Sequence, residues 1–110
     1  MATVYKVLGQ SAPSATTATD AYTVPSLKYA VVSTITVCNR ATGAATYRIS
    51  VRPNGDVQAD EHYVAYDAAV PANDTIALTL GLTADAADVF TVYASTADLS
   101  FNVFGSEIDA

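Results

Sequence analysis

The sequence predicts an all-β fold, an antiparallel β-sandwich of about eight strands of immunoglobulin-like or jelly-roll type. Three observations carry this expectation. Thr, Val, Tyr and Ala dominate a chain without Trp, and branched and aromatic side chains suit a pleated, half-buried surface. Short apolar runs recur at regular spacing, with most of the five Gly and four Pro between them. No segment sustains a helical period. A length of 110 residues is close to the commonest size of one compact unit, so residues 1–110 are read as a single domain.

Residues 3–8 alternate weakly and form the first strand. Residues 10–20, small, polar and low in complexity, read as a flexible loop or arm laid over the surface or over a neighbour. Residues 21–25 make a short strand ended by Pro25, which cannot donate to a central ladder. Residues 29–39 give the longest strand, expected to be central. Tyr29, Val31, Ile35 and Val37 fall on one of its faces, and Val32, Thr34, Thr36 and Cys38 on the other. After a turn at 40–44 comes the clearest alternation: Tyr47, Ile49 and Val51 inward, Thr46, Arg48, Ser50 and Arg52 outward. Pro53-Asn54-Gly55-Asp56 then turns the chain, because Asn and Gly tolerate positive φ. Residues 61–66 form a further strand, with a turn at 70–74 behind it. Ile76, Leu78, Leu80 and Leu82 alternate along the next, 85–88 turn, and 89–94 and 99–104 close the fold around a hairpin-like loop at 95–98.

Charge narrows the function classes. Only 15% of residues are charged against 51% apolar, so part of the surface is expected to be buried against a neighbour. A net charge of −6 argues against a general nucleic-acid or anionic-membrane binder. All five basic side chains and one acid lie in residues 1–55, a net +4, and ten acids without a base lie in 56–110. That split suits head-to-tail contacts or a charged partner, and equally a chance segregation of solvated loop charges. A lone cysteine, Cys38, excludes an internal disulfide and reads as a small buried hydrophobe. The start of the chain lacks a charged segment followed by a long apolar one, so no signal peptide is expected, and no run approaches membrane-spanning length.

The residues that carry chemistry are mostly absent. His62 is the single histidine, and no G-x-S-x-G elbow exposes a nucleophile. One Cys and one His cannot supply the usual zinc sets. The loop acids Asp56, Asp60, Asp85, Asp88 and Asp98 do not match a calcium loop, and no phosphate-binding glycine motif occurs. Asn73-Asp74-Thr75 fits a glycosylation sequon and reads as a turn. No catalytic, cofactor-binding or metal-binding residue is therefore nominated, and no cofactor is expected. Seven tyrosines are the one enriched feature; each joins an apolar body to a hydrogen-bonding tip, which suits protein interfaces and carbohydrate surfaces. Tyr63 and Tyr66, with the outward-facing Arg48 and Arg52, are the candidate interface residues.

Several stretches resemble a known group. Tyr5-Lys6-Val7-Leu8-Gly9-Gln10, Tyr22-Thr23-Val24-Pro25 and Val37-Cys38-Asn39-Arg40 are similar to small virion structural proteins of tailed phages, particularly cyanobacterial ones. The similarity continues through Tyr47-Arg48-Ile49-Ser50-Val51-Arg52-Pro53, His62-Tyr63-Val64-Ala65-Tyr66 and Asn73-Asp74-Thr75-Ile76-Ala77-Leu78. It ends with Val89-Phe90-Thr91-Val92-Tyr93-Ala94 and Phe104-Gly105-Ser106-Glu107-Ile108, and so covers nearly the whole chain. The resemblance implies a non-enzymatic place in the virion, either as a capsid decoration or cement subunit or attached to the tail. The partners it implies are the major capsid protein or another virion protein, with a homo-oligomer such as a trimer, and with neither nucleic acid nor membrane. The alternatives are a neck, baseplate or fibre protein that touches host glycans, and a carbohydrate-binding β-sandwich module outside any virus.

Overall fold

A computed structural model describes residues 2–110. Nine strands form in chain order: β1 (Thr3–Ser11), β2 (Thr19–Thr23), β3 (Lys28–Asn39), β4 (Ala45–Arg52), β5 (Tyr63–Val70), β6 (Thr75–Leu78), β7 (Leu82–Ala84), β8 (Val89–Ala94) and β9 (Leu99–Asp109). Two single 3₁₀ turns, Pro53–Gly55 and Asp60–His62, lie between β4 and β5. The fold is all-β, with two antiparallel sheets compatible with a β-sandwich. One sheet runs β1-β9-β3-β6, with β7 also on β3, and the other β2-β8-β4-β5.

The pairings are nested. β1 pairs with the last strand, β2 with the last but one, β3 with β6 and β7, and β4 with β5. Successive pairs fall in alternate sheets, as if one long hairpin had been rolled up. Inward side chains of both sheets meet in one cluster that includes Val32, Ile35, Val37, Ile49, Phe90, Val92, Leu99, Phe101 and Val103, all nearly inaccessible. Tyr47 and Phe101 meet edge-on across the two sheets at 6.3 Å. Burying each such side chain stabilises the fold by about 1.5–3 kcal/mol, so this cluster outweighs any single surface contact.

The differences from the sequence expectations have local physical causes. In β3, a bulge at Ser33 shifts the register between Val32 and Thr34. It reverses the side-chain phase, so Ala30 and Val32 point inward before it and Ile35 and Val37 after it. Tyr29 and Val31, expected on the face of Ile35, instead lie outside. Cys38 is half-buried on that outer face rather than in the core. The single strand expected over 76–82 is two: the chain breaks opposite the same bulge, leaving Leu80 exposed and Gly81 at positive φ. Gln10 and Ser11 belong to β1, and Thr19 and Asp20 to β2, so only 12–18 connect them. That connection packs on this chain's own fold, with Pro13 buried and the Thr16 N–H donating to the Ala94 carbonyl at 2.8 Å. β9 runs to Asp109, well past residue 104, because it is paired on both sides, by β1 and β3. Ser50, expected outside, is buried and donates its hydroxyl to Gln58 Oε1 at 2.7 Å. The turn at 53–56 forms as expected, with Asn54 and Gly55 both at positive φ.

Candidate interaction surfaces

The outer face of the four-stranded sheet gathers three of the four nominated residues. Arg48 on β4 stands opposite Tyr93 on β8 in register. On its other side β5 carries a bulge: Tyr47 pairs with Ala68 and Ile49 with Ala65, so one residue of β4 faces both Tyr66 and Asp67. The Asp67 backbone takes positive φ to do this. The guanidinium carbon lies 4.2 Å from the Tyr66 ring centre and 4.3 Å from that of Tyr93, within cation–π range of both. Arg48 Nε donates to Asp67 Oδ1 at 2.7 Å. That bond, above all, pushes the guanidinium pKa further up. Tyr63 meets Tyr66 edge-on at 4.9 Å, and Tyr66 is 57% exposed. The result is a preorganised aromatic cluster around an arginine. Tyr93 was not nominated from sequence, because only the β4–β8 register sets it beside Arg48.

Arg52 has a different role. Its Nε donates to Thr91 Oγ1 at 3.1 Å, Nη1 to the Gly55 and Asp56 carbonyls at 3.3 and 2.9 Å, and Nη2 to Asp20 Oδ1 at 2.9 Å. These bonds tie β4 to β8, to the loop after it and to β2. Arg52, read from the sequence as outward-facing, is held by these bonds with its side chain only 18% exposed.

A second surface escaped the sequence reading. The outer face of the five-stranded sheet presents Tyr5 (83% exposed), Val7 and Tyr29, with Val31, Phe104 and Ile108 partly covered beside them. Register brings them together: Tyr5 and Val31 both face Ser106, Val7 faces Phe104 and Tyr29 faces Ile108. Shallow depressions run across this face, and Asp85 and Asp88 edge one of them next to Tyr29, Val31 and Ile108. The signal was hidden because Tyr29 and Val31 look like core residues until the Ser33 bulge is known.

Part of the charge split is matched within the chain. Lys6 pairs with Glu107 at 2.9 Å, Lys28 with Asp109, Arg48 with Asp67 at 2.7 Å and Arg52 with Asp20 at 2.9 Å. Three of these four pairs join the basic first half to the acidic second, as the nested strand order requires. Glu107 is buried where β1, β2 and β9 converge, and accepts the Tyr22 hydroxyl at 2.7 Å. That bond, and then Lys6, hold its carboxyl below the usual range, while burial and then Glu107 push the Tyr22 phenol up.

The remaining polar candidates serve the backbone. His62 sits in a 3₁₀ turn, not in a strand, and its Nδ1 accepts the Ala59 N–H at 3.0 Å. Asp88 accepts the backbone N–H groups of Asn54 and Asp85, one on each oxygen. Asn39 is buried, donates to the Gly43, Val70 and Pro71 carbonyls and accepts the Ala41 N–H, fastening the β3–β4 loop to the end of β5. Among the described residues no three His, Cys, Asp or Glu side chains gather as a metal site, and no helix is long and apolar enough to cross a membrane. No family model matches the chain, and no curated protein is significantly similar to it.

Proposed function

We propose that this chain is a non-enzymatic structural protein of a tailed-phage virion, a cement or decoration subunit that stabilises the capsid by binding across its shell. The observation that carries the reading is the pair of outer sheet faces. Both present aromatic and aliphatic side chains to the surroundings, one around Arg48 and one around Tyr5 and Tyr29. A small domain with two such faces is suited to bridge neighbours, and a ligand that binds only the assembled state shifts the equilibrium toward assembly. The resemblance of the sequence to virion proteins supports the same reading. In it the chain is made in the host cytoplasm, resides in the virion, contacts the major capsid protein and forms a cyclic homo-oligomer such as a trimer. Arg48, Tyr63 and Tyr66, joined by Tyr93, contribute one contact surface, with Arg52 bracing the strand beneath it.

The fold type within this reading is the jelly roll. With β6 and β7 taken as one interrupted strand, the nested pairing and its alternation between sheets support the double Greek key of that fold, which is common in viral capsid proteins. That link is one of architecture and carries no function by itself. A tail, neck, baseplate or fibre position with host-glycan contact is the second reading, and the exposed Tyr66 ring favours it as a stacking platform.

The test is the copy number in purified particles relative to the major capsid protein, by quantitative mass spectrometry. A ratio near one, or a simple large fraction of it, supports cement. A ratio of about a few per cent moves the chain to the tail or neck. Absence from particles removes the virion reading.

A further inference from the structure

We infer that the outer face of the five-stranded sheet is the surface that meets a different protein, one with an apolar patch bordered by Lys or Arg, and not a second copy of this chain. This inference rests on the virion reading for where the partner is found. Its physical basis is the distribution of charge around the patch. The centre is apolar: Tyr5, Val7, Tyr29, Val31, Phe104 and Ile108. One border is acidic. Asp85 and Asp88 edge the depression beside Tyr29 and Val31, and Asp56 and Glu61 line the adjoining groove, which shares Thr83 with it.

None of these four acids has a basic side chain as partner among the described residues. The cations nearest the patch, Lys6 and Lys28, already neutralise Glu107 and Asp109. Among the described residues Arg40 is the one Lys or Arg side chain outside the four ion pairs, and it is bound to Ser100 Oγ and the Ala97 carbonyl. It follows the last residue of β3, whereas Asp85 follows the strand paired with the start of β3. Nine residue steps from Ala30 to Asn39, at about 3.3 Å each, separate the two ends by roughly 30 Å. A second copy docking face to face here therefore brings acids and no uncommitted cation, and docking by any other face it offers Arg40 alone against four acids; like charges across a contact repel. A partner with basic groups around an apolar centre satisfies both the patch and its border.

The experiment has two parts. Purified particles are treated with a carbodiimide, which joins a carboxylate directly to a lysine amine, and the linked peptides are sequenced. Particles are also assembled with Tyr5→Glu/Tyr29→Glu, two exposed substitutions whose folding is checked by circular dichroism, and with Thr42→Glu, on the exposed turn after β3, for comparison. The expected result is a link from Asp85 or Asp88 to a lysine of another protein, and at least tenfold loss of occupancy for the double tyrosine variant but not for Thr42→Glu. Links from these acids only to other copies of the chain, or wild-type occupancy of the double variant, overturn the inference and leave the virion reading standing. A soluble homo-oligomer that the double variant dissociates overturns it as well. Absence of the chain from particles overturns the virion reading and the inference with it.

Discussion

Replacing Gly105 by alanine tests the register at the centre of the larger sheet. Gly105 on β9 pairs with Val32 of β3 beside the Ser33 bulge, and the Val31 carbonyl lies against it. A Cβ built on Gly105 lies 1.9 Å from the Val31 oxygen, 2.9 Å from its carbon and 3.0 Å from Val32 Cα. All three atoms are backbone, so no side chain can rotate away. Bringing the closest contact out to 3.0 Å alone needs a shift of 1.1 Å between two hydrogen-bonded strands. Overpacking of this kind costs about 1–3 kcal/mol, and a disturbed ladder bond adds about 1 kcal/mol. We expect a loss of about 3 kcal/mol in urea unfolding and a Tm lowered by about 12 °C, at about 4 °C per kcal/mol for a chain of this size. Gly43→Ala is the control, because nothing lies within 4 Å of its added Cβ, and it should stay within about 0.5 kcal/mol of wild type. If Gly105→Ala is as stable as Gly43→Ala, the β3–β9 register or the bulge is wrong.

Two further perturbations address the buried and bridging charges. Glu107 has a folded-state pKa held below the ordinary glutamate value, chiefly by the Tyr22 hydroxyl and then by Lys6. Its stabilisation is therefore fully present above that ordinary, unfolded-state value and is lost as pH falls through the folded one. Glu107→Gln should cost about 1 kcal/mol at pH 7, because neutral bonds replace charge-assisted ones, and it should flatten the acid limb of stability against pH. Identical acid limbs for the two proteins would show that Glu107 is not its source. Arg52→Ala removes the bonds to Thr91, Gly55, Asp56 and Asp20, and should lower stability by about 1–2 kcal/mol in urea titration. Arg52→Lys should recover only part of this, since an ammonium cannot match the guanidinium fork. An unchanged urea midpoint for Arg52→Ala would show that these bonds do not brace β4.

Local pattern settled a good deal in advance. The alternation of Tyr47, Ile49 and Val51, the turn at Pro53-Asn54-Gly55 and the run over residues 89–94 are visible in the sequence because strand phase and turn conformation are properties of neighbouring residues. The all-β class follows from them. What the chain could not reveal residue by residue is where its phase breaks. One extra residue at Ser33 exchanges the inner and outer faces of half a strand, and so converts Tyr29 and Val31 from core into surface. A second bulge in β5 sets both Tyr66 and Asp67 on Arg48. The charge segregation was legible, but its meaning depended on pairings between residues as distant as Lys6 and Glu107. Composition and short-range periodicity thus determined the all-β class and the approximate course of most strands. The nested pairing of distant strands, fixed only when both sheets close on one core, decided which side chains are buried, which charges are already matched and which faces remain to meet something else.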